Sequence, residues 1–275
     1  MEINKEKIAI ITTVSNWDLY EITKTFFPAG IKIFAIDGTK GFFGINSLIL
    51  FMKDLKKKNV DWLIMADEDV IFTDTQRVFQ LINYLAANDY SACGMRDGGT
   101  LEWRNENPNM LNTYFSILHL NDIYTIYDQN VMLKNQYVLE NEFKEDLQNL
   151  PFQNYDTNSL FEGYYCFFLW LLRNNKKIKY LDATNPIKGD YATTRLLDHG
   201  GEEILYHTWY ARFFNKESTQ TQRINEILKL GVLAGSTEKV EILKNNFYLF
   251  KMFFYSYSRK FLRIRKNNPN NLSRK

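Results

Sequence analysis

The chain has 275 residues, of which 45% are hydrophobic, 16% aromatic and 24% charged, a composition that favours a globular protein with a full core and excludes a disordered one. Cys93 and Cys166 stand in apolar surroundings without metal-binding spacing, which favours buried free thiols in a reducing compartment. The sequence has no apolar run of about 18 residues and residues 1–5 do not resemble a signal peptide, so we expect neither a membrane span nor secretion.

The net charge of +2 conceals an asymmetry along the chain. Residues 244–275 contain nine Lys or Arg and no acid, so this tail carries a charge of +9. Since the net charge of the whole chain is +2, residues 1–243 carry a charge of −7. An acidic body with a basic tail is not typical of a nucleic-acid-binding protein, and we expect no nucleic-acid partner. It suits a body that holds a metal and a tail that contacts an anionic surface.

The first 39 residues contain the pattern of a βαβ unit. Residues 8–12 and 31–36 are predicted to be buried strands, with a helix over residues 17–27 between them. Ligands of such sheets lie beyond the carboxyl ends of the strands, where Thr12, Thr13 and Asp37 would share a rim. Asp37 would either bind a ribose or base group or cap the following turn.

The most informative segment is residues 62–72, which follow a predicted amphipathic helix over residues 45–58. An apolar strand, residues 62–66, ends in Asp67, Glu68 and Asp69 and then returns to apolar residues 70–72. Alternation along an extended chain places Asp67 and Asp69 on one side and Glu68 on the other. Two carboxylates on one side can hold a divalent cation, which in turn can bind a diphosphate. The alternative is a polar strand end in a solvated turn.

A helix over residues 76–87 and a strand over residues 90–95 complete an order of elements that resembles the nucleotide-sugar glycosyltransferases of the GT-A fold. The resemblance covers about residues 7–210 and implies an α/β fold with a mostly parallel central sheet flanked by helices. It implies that Thr12, Thr13 and Asp37 line a nucleoside pocket. It also implies that Asp67 lies near the ribose or the metal, and that Asp69 binds Mn²⁺ or Mg²⁺ directly.

Residues 96–105 form a predicted loop with two glycines, two arginines and Trp103. Arg96 is its candidate for binding phosphate. The alternative is a surface loop with an Arg–Asp pair. Residues 111–120 are predicted to be a strand, and in the GT-A family a strand in this region borders the acceptor site. The acceptor-side candidates are therefore Asn112, Tyr114 and His119.

Two carboxylates are candidates for the catalytic base. Inverting GT-A enzymes place a base near the start of a helix such as the one predicted from residue 161, and Glu162 has about that position. Gly163 follows it where the family usually has a second acid, so inversion or retention is left undecided. Asp156 is the alternative base, and a first-turn acid that stabilises the helix is the structural interpretation of Glu162.

Two of the three histidines, His199 and His207, lie late in the chain. The resemblance implies a late His as a further metal ligand, and a neutral imidazole suits Mn²⁺ beside carboxylates. His207 ends a short strand-like run and is preferred, with His199 second. Each also suits a purely structural role.

The C-terminal residues are predicted to be helical, with helices over residues 219–230 and 237–265. The second is aromatic, amphipathic and basic, so it would either lie on an anionic membrane or pack on the body. This division gives a catalytic domain over residues 1–215 and a helical extension with a basic tail over residues 216–275.

Together these features predict a metal-dependent glycosyltransferase. The donor would be a nucleotide-diphosphate sugar, with a UDP-sugar favoured, and the acceptor a glycan or a lipid-linked group. The expected location is cytoplasmic, peripheral on the inner face of the membrane. The alternatives are a degenerate GT-A domain that acts as a binding module and a sugar nucleotidyltransferase, although Ser15, Asn16 and Trp17 do not match the Gly-rich signature of the latter.

Overall fold

The structure is a computed structural model that describes residues 3–97, 100–101, 104, 106–143, 150 and 155–244. The strands are β1 (Ile8–Val14), β2 (Lys32–Asp37), β3 (Trp62–Ala66), β4 (Val70–Phe72), β5 (Tyr90–Arg96), β6 (Leu111–His119), β7 (Lys177–Leu181), β8 (Ala183–Thr184), β9 (Thr194–Leu197), β10 (Glu203–His207) and β11 (Val240–Leu243). The helices are α1 (Trp17–Thr23), α2 (Ile45–Leu55), α3 (Thr75–Ala87), α4 (Leu120–Tyr124), α5 (Gln129–Leu133), α6 (Tyr165–Arg173) and α7 (Ser218–Leu228).

A seven-stranded sheet in the order β11-β2-β1-β3-β6-β5-β7 forms the centre of the protein. The pairs β11·β2, β2·β1, β1·β3 and β5·β7 are parallel, whereas β6 is antiparallel to both of its neighbours. The prediction of an α/β fold with a mostly parallel central sheet is confirmed.

Apolar side chains cover both faces of this sheet. On one face, α2 and α6 contribute residues such as Leu48, Phe51 and Phe167 to a continuous core. On the other face, the core includes Tyr20 and Val78, which come from α1 and α3. The sheet is therefore flanked by helices, as predicted, and strand positions such as Ile10 and Ile64 are fully buried.

A second sheet of four strands, in the order β4-β10-β9-β8, adjoins the first. The three acids, residues 67–69, connect β3 of the large sheet directly to β4 of the small one. His207 is the last residue of β10, and its register partner on β4 is Val70. The turn of acids and the end of β10 therefore meet where the two sheets join.

The C-terminal part differs from the predicted pair of helices. Helix α7 matches the first, but the prediction of a helix from residue 237 is wrong at its start, because Val240–Leu243 forms strand β11. This strand pairs with β2, provides hydrogen-bond partners for it, and so forms the outer strand of the large sheet. Residues 245–275, which include most of the predicted helix and of the basic tail, and Trp103 lie outside the described residues. Among the residues that are described, no helix is long and apolar enough to cross a membrane.

Candidate functional site

A cleft of about 540 Å³ opens beyond the carboxyl ends of β1, β2 and β3. Thr13 of β1, Gly38 after β2 and Ala66 of β3 all contribute to its wall. The far wall consists of residues 209–213, which follow β10. This is the edge at which parallel α/β sheets bind their ligands, and it is the edge at which the sequence placed the candidate site.

The turn of acids lies in the floor of the cleft. The Asp67 N–H donates to the Tyr114 carbonyl at 2.9 Å, and the Val70 N–H donates to the Asp67 carbonyl at 3.2 Å. This turn directs Asp67 and Asp69 toward His207, and one potential ligand atom from each of the three lies within 4.8 Å of the others. The structure therefore brings together the three residues that were proposed as metal ligands.

His207 and Asp69 are held tightly. His207 Nε2 lies 3.1 Å from Asp69 Oδ1, and the Thr208 hydroxyl donates to Asp69 Oδ2 at 3.2 Å. The imidazole stacks on Tyr114 at 4.0 Å and contacts Trp209 at 4.5 Å. Within the described part of the chain, His207 Nδ1 is buried without a hydrogen-bond partner. Ring stacking, rather than a second hydrogen bond, therefore fixes the orientation of this imidazole.

The two aspartates differ in their electrostatics. Burial and repulsion by Glu68 and Asp69 raise the pKa of Asp67 well above its usual value, although Arg212 and Arg104 oppose this shift. Burial also acts to raise the pKa of Asp69, but the charge and hydrogen bond of His207 and the Thr208 hydroxyl outweigh it and lower that pKa. The ionised form of Asp67 is therefore disfavoured without a counterion, and a bound cation would stabilise it.

The donor set fits a divalent cation. Carboxylate oxygens and an imidazole nitrogen together suit Mn²⁺, and carboxylates also suit Mg²⁺. Adjacent ligands of an octahedral ion with bonds of ~2.1 Å lie ~3.0 Å apart, close to the 3.1 Å between His207 Nε2 and Asp69 Oδ1. The spacing of these two atoms is therefore compatible with adjacent ligands of one ion.

Strand alternation does not apply to the acids, because residues 67–69 form a turn between β3 and β4 and not an extended strand. Within this turn, Glu68 binds the loop after β1. Its Oε1 accepts the N–H groups of Ser15 and Asn16, each at 3.0 Å, and the Ser15 hydroxyl. Burial and the charge of Asp69 raise its pKa, although these hydrogen bonds act in the opposite direction. Glu68 therefore joins the turn of acids to the loop after β1.

A second polar network lies beside the cleft, which Arg104, Asn112 and Glu162 line. Asp97 is fully buried and accepts hydrogen bonds from Arg104 Nε at 3.0 Å and from Asn112 Nδ2 at 2.6 Å, together with one from the Tyr165 hydroxyl. Arg104 also donates to Glu162 Oε1 at 2.8 Å. Glu162 lines the cleft, as proposed, but an arginine engages its carboxylate.

Two residues proposed for a nucleoside pocket, Thr12 and Asp37, are not among the residues that line the cleft. Thr12 is fully buried, and its hydroxyl has no hydrogen-bond partner among the described residues. The side chain of Asp37 accepts the Thr39 N–H at 3.2 Å and pairs with Lys40 at 2.7 Å. Of the two interpretations of Asp37, the structure shows the cap. Thr13 lines the cleft.

Arg96 and Asp156 are also not among the residues that line the cleft. The Arg96 guanidinium lies 3.7 Å from the ring centre of Tyr180 and donates to the Pro108 carbonyl. Asp156 caps a local turn by accepting the Asn158 N–H at 3.0 Å. The Arg–Asp pair expected as the alternative for this loop is present, but it is formed by Arg104 with the buried Asp97.

Of the four remaining candidates, two line the cleft and two do not. Asn112 and Tyr114 line the cleft. His119 pairs in register with Trp62, at the opposite end of β3, and stacks on its ring at 4.3 Å. His199 stacks on Tyr84 at 3.9 Å, so His207 is the late histidine that meets the acids.

Sequence reasoning missed the segment that forms the far wall. Tyr210, Arg212 and Phe213 line the cleft, and the charge of Arg212 acts on Asp67. The sequence Trp-Tyr-Ala-Arg-Phe-Phe after His207 was a signal that could have indicated this segment. It joins a cation to aromatic rings and begins two residues after a proposed metal ligand.

Comparison with protein-family models and with curated protein sequences finds no match. The function therefore has to be inferred from the geometry and chemistry of the cleft.

Proposed function

We propose that the protein is a metal-dependent glycosyltransferase that moves a sugar from a nucleotide-diphosphate sugar to an acceptor hydroxyl. One observation carries this proposal. Asp67 and Asp69, in the turn that connects the two sheets, meet His207, at the end of β10, in a cleft at the carboxyl ends of three parallel strands. A cleft of about 540 Å³ also has room for a ligand of nucleotide size.

In this proposal each group of residues has a separate role. Asp67, Asp69 and His207 would hold Mn²⁺ or Mg²⁺, which when bound neutralises charge on a departing diphosphate. Arg212 brings further positive charge to the same cleft. Glu162 is the candidate to take the proton of the acceptor hydroxyl, if the reaction inverts the sugar. Asp156 caps a turn elsewhere, so it is the weaker candidate.

Calorimetric titration tests the donor site. UDP, GDP and CDP would each be added to the protein with and without Mn²⁺, and the same titrations repeated on Asp69→Ala. Asp61→Ala is a matched control, because Asp61 precedes β3 at its other end and pairs with Lys7 at 3.5 Å. Binding of one nucleotide that requires both Mn²⁺ and Asp69 supports the proposal, and a folded protein that binds none of the three refutes it.

A binding module without turnover is a second candidate, and one observation favours it. Glu162 is engaged by Arg104 at 2.8 Å, so a bound acceptor would compete with an ion pair for the proposed base. The two candidates differ in turnover. If the protein binds a nucleotide with Mn²⁺ but neither transfers nor hydrolyses the corresponding sugar donor, the binding module is the better description.

We also propose a lipid-linked acceptor and a peripheral position on the cytoplasmic face of a membrane. The chain leaves the sheet at Lys244, next to Leu243, which pairs with Ile36 near the cleft end of β2. The sequence beyond is basic and aromatic, a composition suited to an anionic membrane surface. If a chain truncated before Phe247 cofractionates with membranes as fully as the whole chain does, this part of the proposal is wrong.

A further inference from the structure

The side chain of Asn16 joins two segments that are far apart in sequence. Its Oδ1 caps α1 by accepting the Leu19 N–H at 3.2 Å. Its Nδ2 donates to the carbonyl oxygens of Ala211 at 2.9 Å and Phe214 at 3.0 Å. Both ends of the amide are therefore in use, and the side chain is only 6% exposed.

Asn16 is itself held by the turn of acids. Its N–H donates to Glu68 Oε1 at 3.0 Å, and the same oxygen accepts the Ser15 N–H. The Thr23 hydroxyl at the end of α1 donates to the Glu68 carbonyl at 2.9 Å. Glu68 is 3% exposed, so the turn that carries Asp67 and Asp69 is linked through buried hydrogen bonds to Asn16.

The segment that Asn16 holds, residues 209–214, has a backbone that needs external support. Trp209 and Tyr210 both have φ of +60°, a left-handed conformation that is costly for aromatic residues. At the start of the segment, Arg223 Nη2 donates to the Thr208 carbonyl at 2.6 Å and to the Trp209 carbonyl at 3.2 Å. Asn16 holds the other end, and the part between them carries the exposed Arg212.

We propose that Asn16 is a positioning residue that fixes the segment 209–214 against the turn of acids and so presents Arg212 to the phosphate groups of a bound nucleotide. Arg212 lines the same cleft as Asp67 and the other proposed metal ligands. An arginine is suited to bind phosphate oxygens in a forked geometry. The phosphate part of this inference rests on the proposed function, whereas the support of the segment does not.

Asn16→Asp is the most selective variant. Asp is as good a helix cap as Asn, so α1 keeps its first hydrogen bond, but the Nδ2 donor is replaced by an oxygen that faces two carbonyls. Asn4→Asp is the matched control, because Asn4 caps a turn with its Oδ1 at 2.9 Å from the Glu6 nitrogen and is exposed. Asn16→Ala is the second variant and loses the cap as well.

Hydrogen exchange measures the support of the segment without any ligand. In Asn16→Asp we expect exchange in residues 209–215 to be about tenfold faster or more, with residues 17–23 unchanged and with no effect in Asn4→Asp. Unchanged exchange in residues 209–215 of both Asn16→Asp and Asn16→Ala would overturn the inference.

Binding measures the presentation of Arg212. Titrations of UDP, GDP and CDP in the presence of Mn²⁺, and of their nucleosides, would be made on Asn16→Asp, Arg212→Ala and the double variant. We expect about a tenfold loss of affinity for the diphosphate that binds, unchanged affinity for its nucleoside, and no further loss in the double variant. An equal loss for the nucleoside, or additive losses, would show a merely structural role. If the wild type binds none of these nucleotides, the proposed function and the phosphate part fail together, and hydrogen exchange still decides the support of the segment.

Discussion

Replacing Asp97 with Asn is expected to destabilise the fold more than the same change at a surface aspartate. Asp97 is fully buried and accepts hydrogen bonds from Arg104, Asn112 and Tyr165. The amide would remove the charge that compensates Arg104, and it would turn a donor toward groups that are themselves donors. Arg104 would then keep only its 2.8 Å bond to Glu162 as an ion pair among the described residues.

The expected magnitude follows from the burial of the pair. Removing one partner of a buried ion pair costs about 3–5 kcal/mol. The Arg104 side chain is 21% exposed and keeps Glu162, so the lower end, about 3 kcal/mol, applies. With a urea m-value of about 3 kcal/mol/M, the unfolding midpoint would fall by about 1 M.

Urea unfolding followed by circular dichroism measures this difference, and Asp61→Asn provides the control. The Asp61 side chain is 28% exposed and its pair with Lys7 is 3.5 Å long, so its loss should cost less than about 1 kcal/mol. Equal midpoints for the two variants would refute the reasoning. Replacing Arg104 with Met in the Asp97→Asn background should restore part of the loss, because the uncompensated cation is then removed.

Three further outcomes are expected. Burial acts to raise the pKa of Asp190, but hydrogen bonds from Thr193 outweigh it and lower that pKa. The stability that Asp190 provides over Asp190→Asn should therefore be fully present above about pH 4 and be lost as the pH falls through the pKa of the folded state. Urea unfolding of both proteins at about pH 7 and about pH 2.5 would measure this difference. Mn²⁺ at about 100 times its Kd should stabilise the wild type by about 2.7 kcal/mol in thermal unfolding, and His207→Ala should lose most of this increment while its apo form stays folded. Gly94→Ala should cost about 1–3 kcal/mol, because its Cβ would lie 2.8 Å from the Phe115 carbonyl, whereas Gly163→Ala, with its nearest contact at 3.6 Å, should be nearly neutral.

The sequence was sufficient for the parts of the site that depend on local pattern. The apolar strand before Asp67 predicted that the acids stand at a strand end, and Asp67 and Asp69 do meet at His207. The alternation that paired them does not apply, because residues 67–69 form a turn. The strand end was predictable because it is a property of a short segment. The choice of His207 over His199 also depended on its position at the end of a short strand.

The parts that sequence could not predict depend on contacts between distant segments. Residues 240–243 belong to a segment that was predicted to be helical, but they form a strand because they pair with the otherwise open edge of β2. The local sequence does not indicate that such an edge is available. Arg104 stands 58 positions before the carboxylate of Glu162 that it engages. Asn16 stands 195 positions before Ala211, whose carbonyl it binds. No spacing rule joins residues so far apart.

The junction of the two sheets explains why the proposed ligands converge. The acids 67–69 leave β3 of the large sheet and enter β4 of the small one, so their position is fixed by hydrogen bonds on both sides. His207 ends β10, and because β10 is antiparallel to β4 its last residue lies beside Val70, the first residue after the acids. A slip of this register by one residue would turn His207 to the other face. The ligand set therefore depends on strand pairing, and variants that weaken the β4·β10 pair should reduce Mn²⁺ affinity even where they leave all three side chains intact.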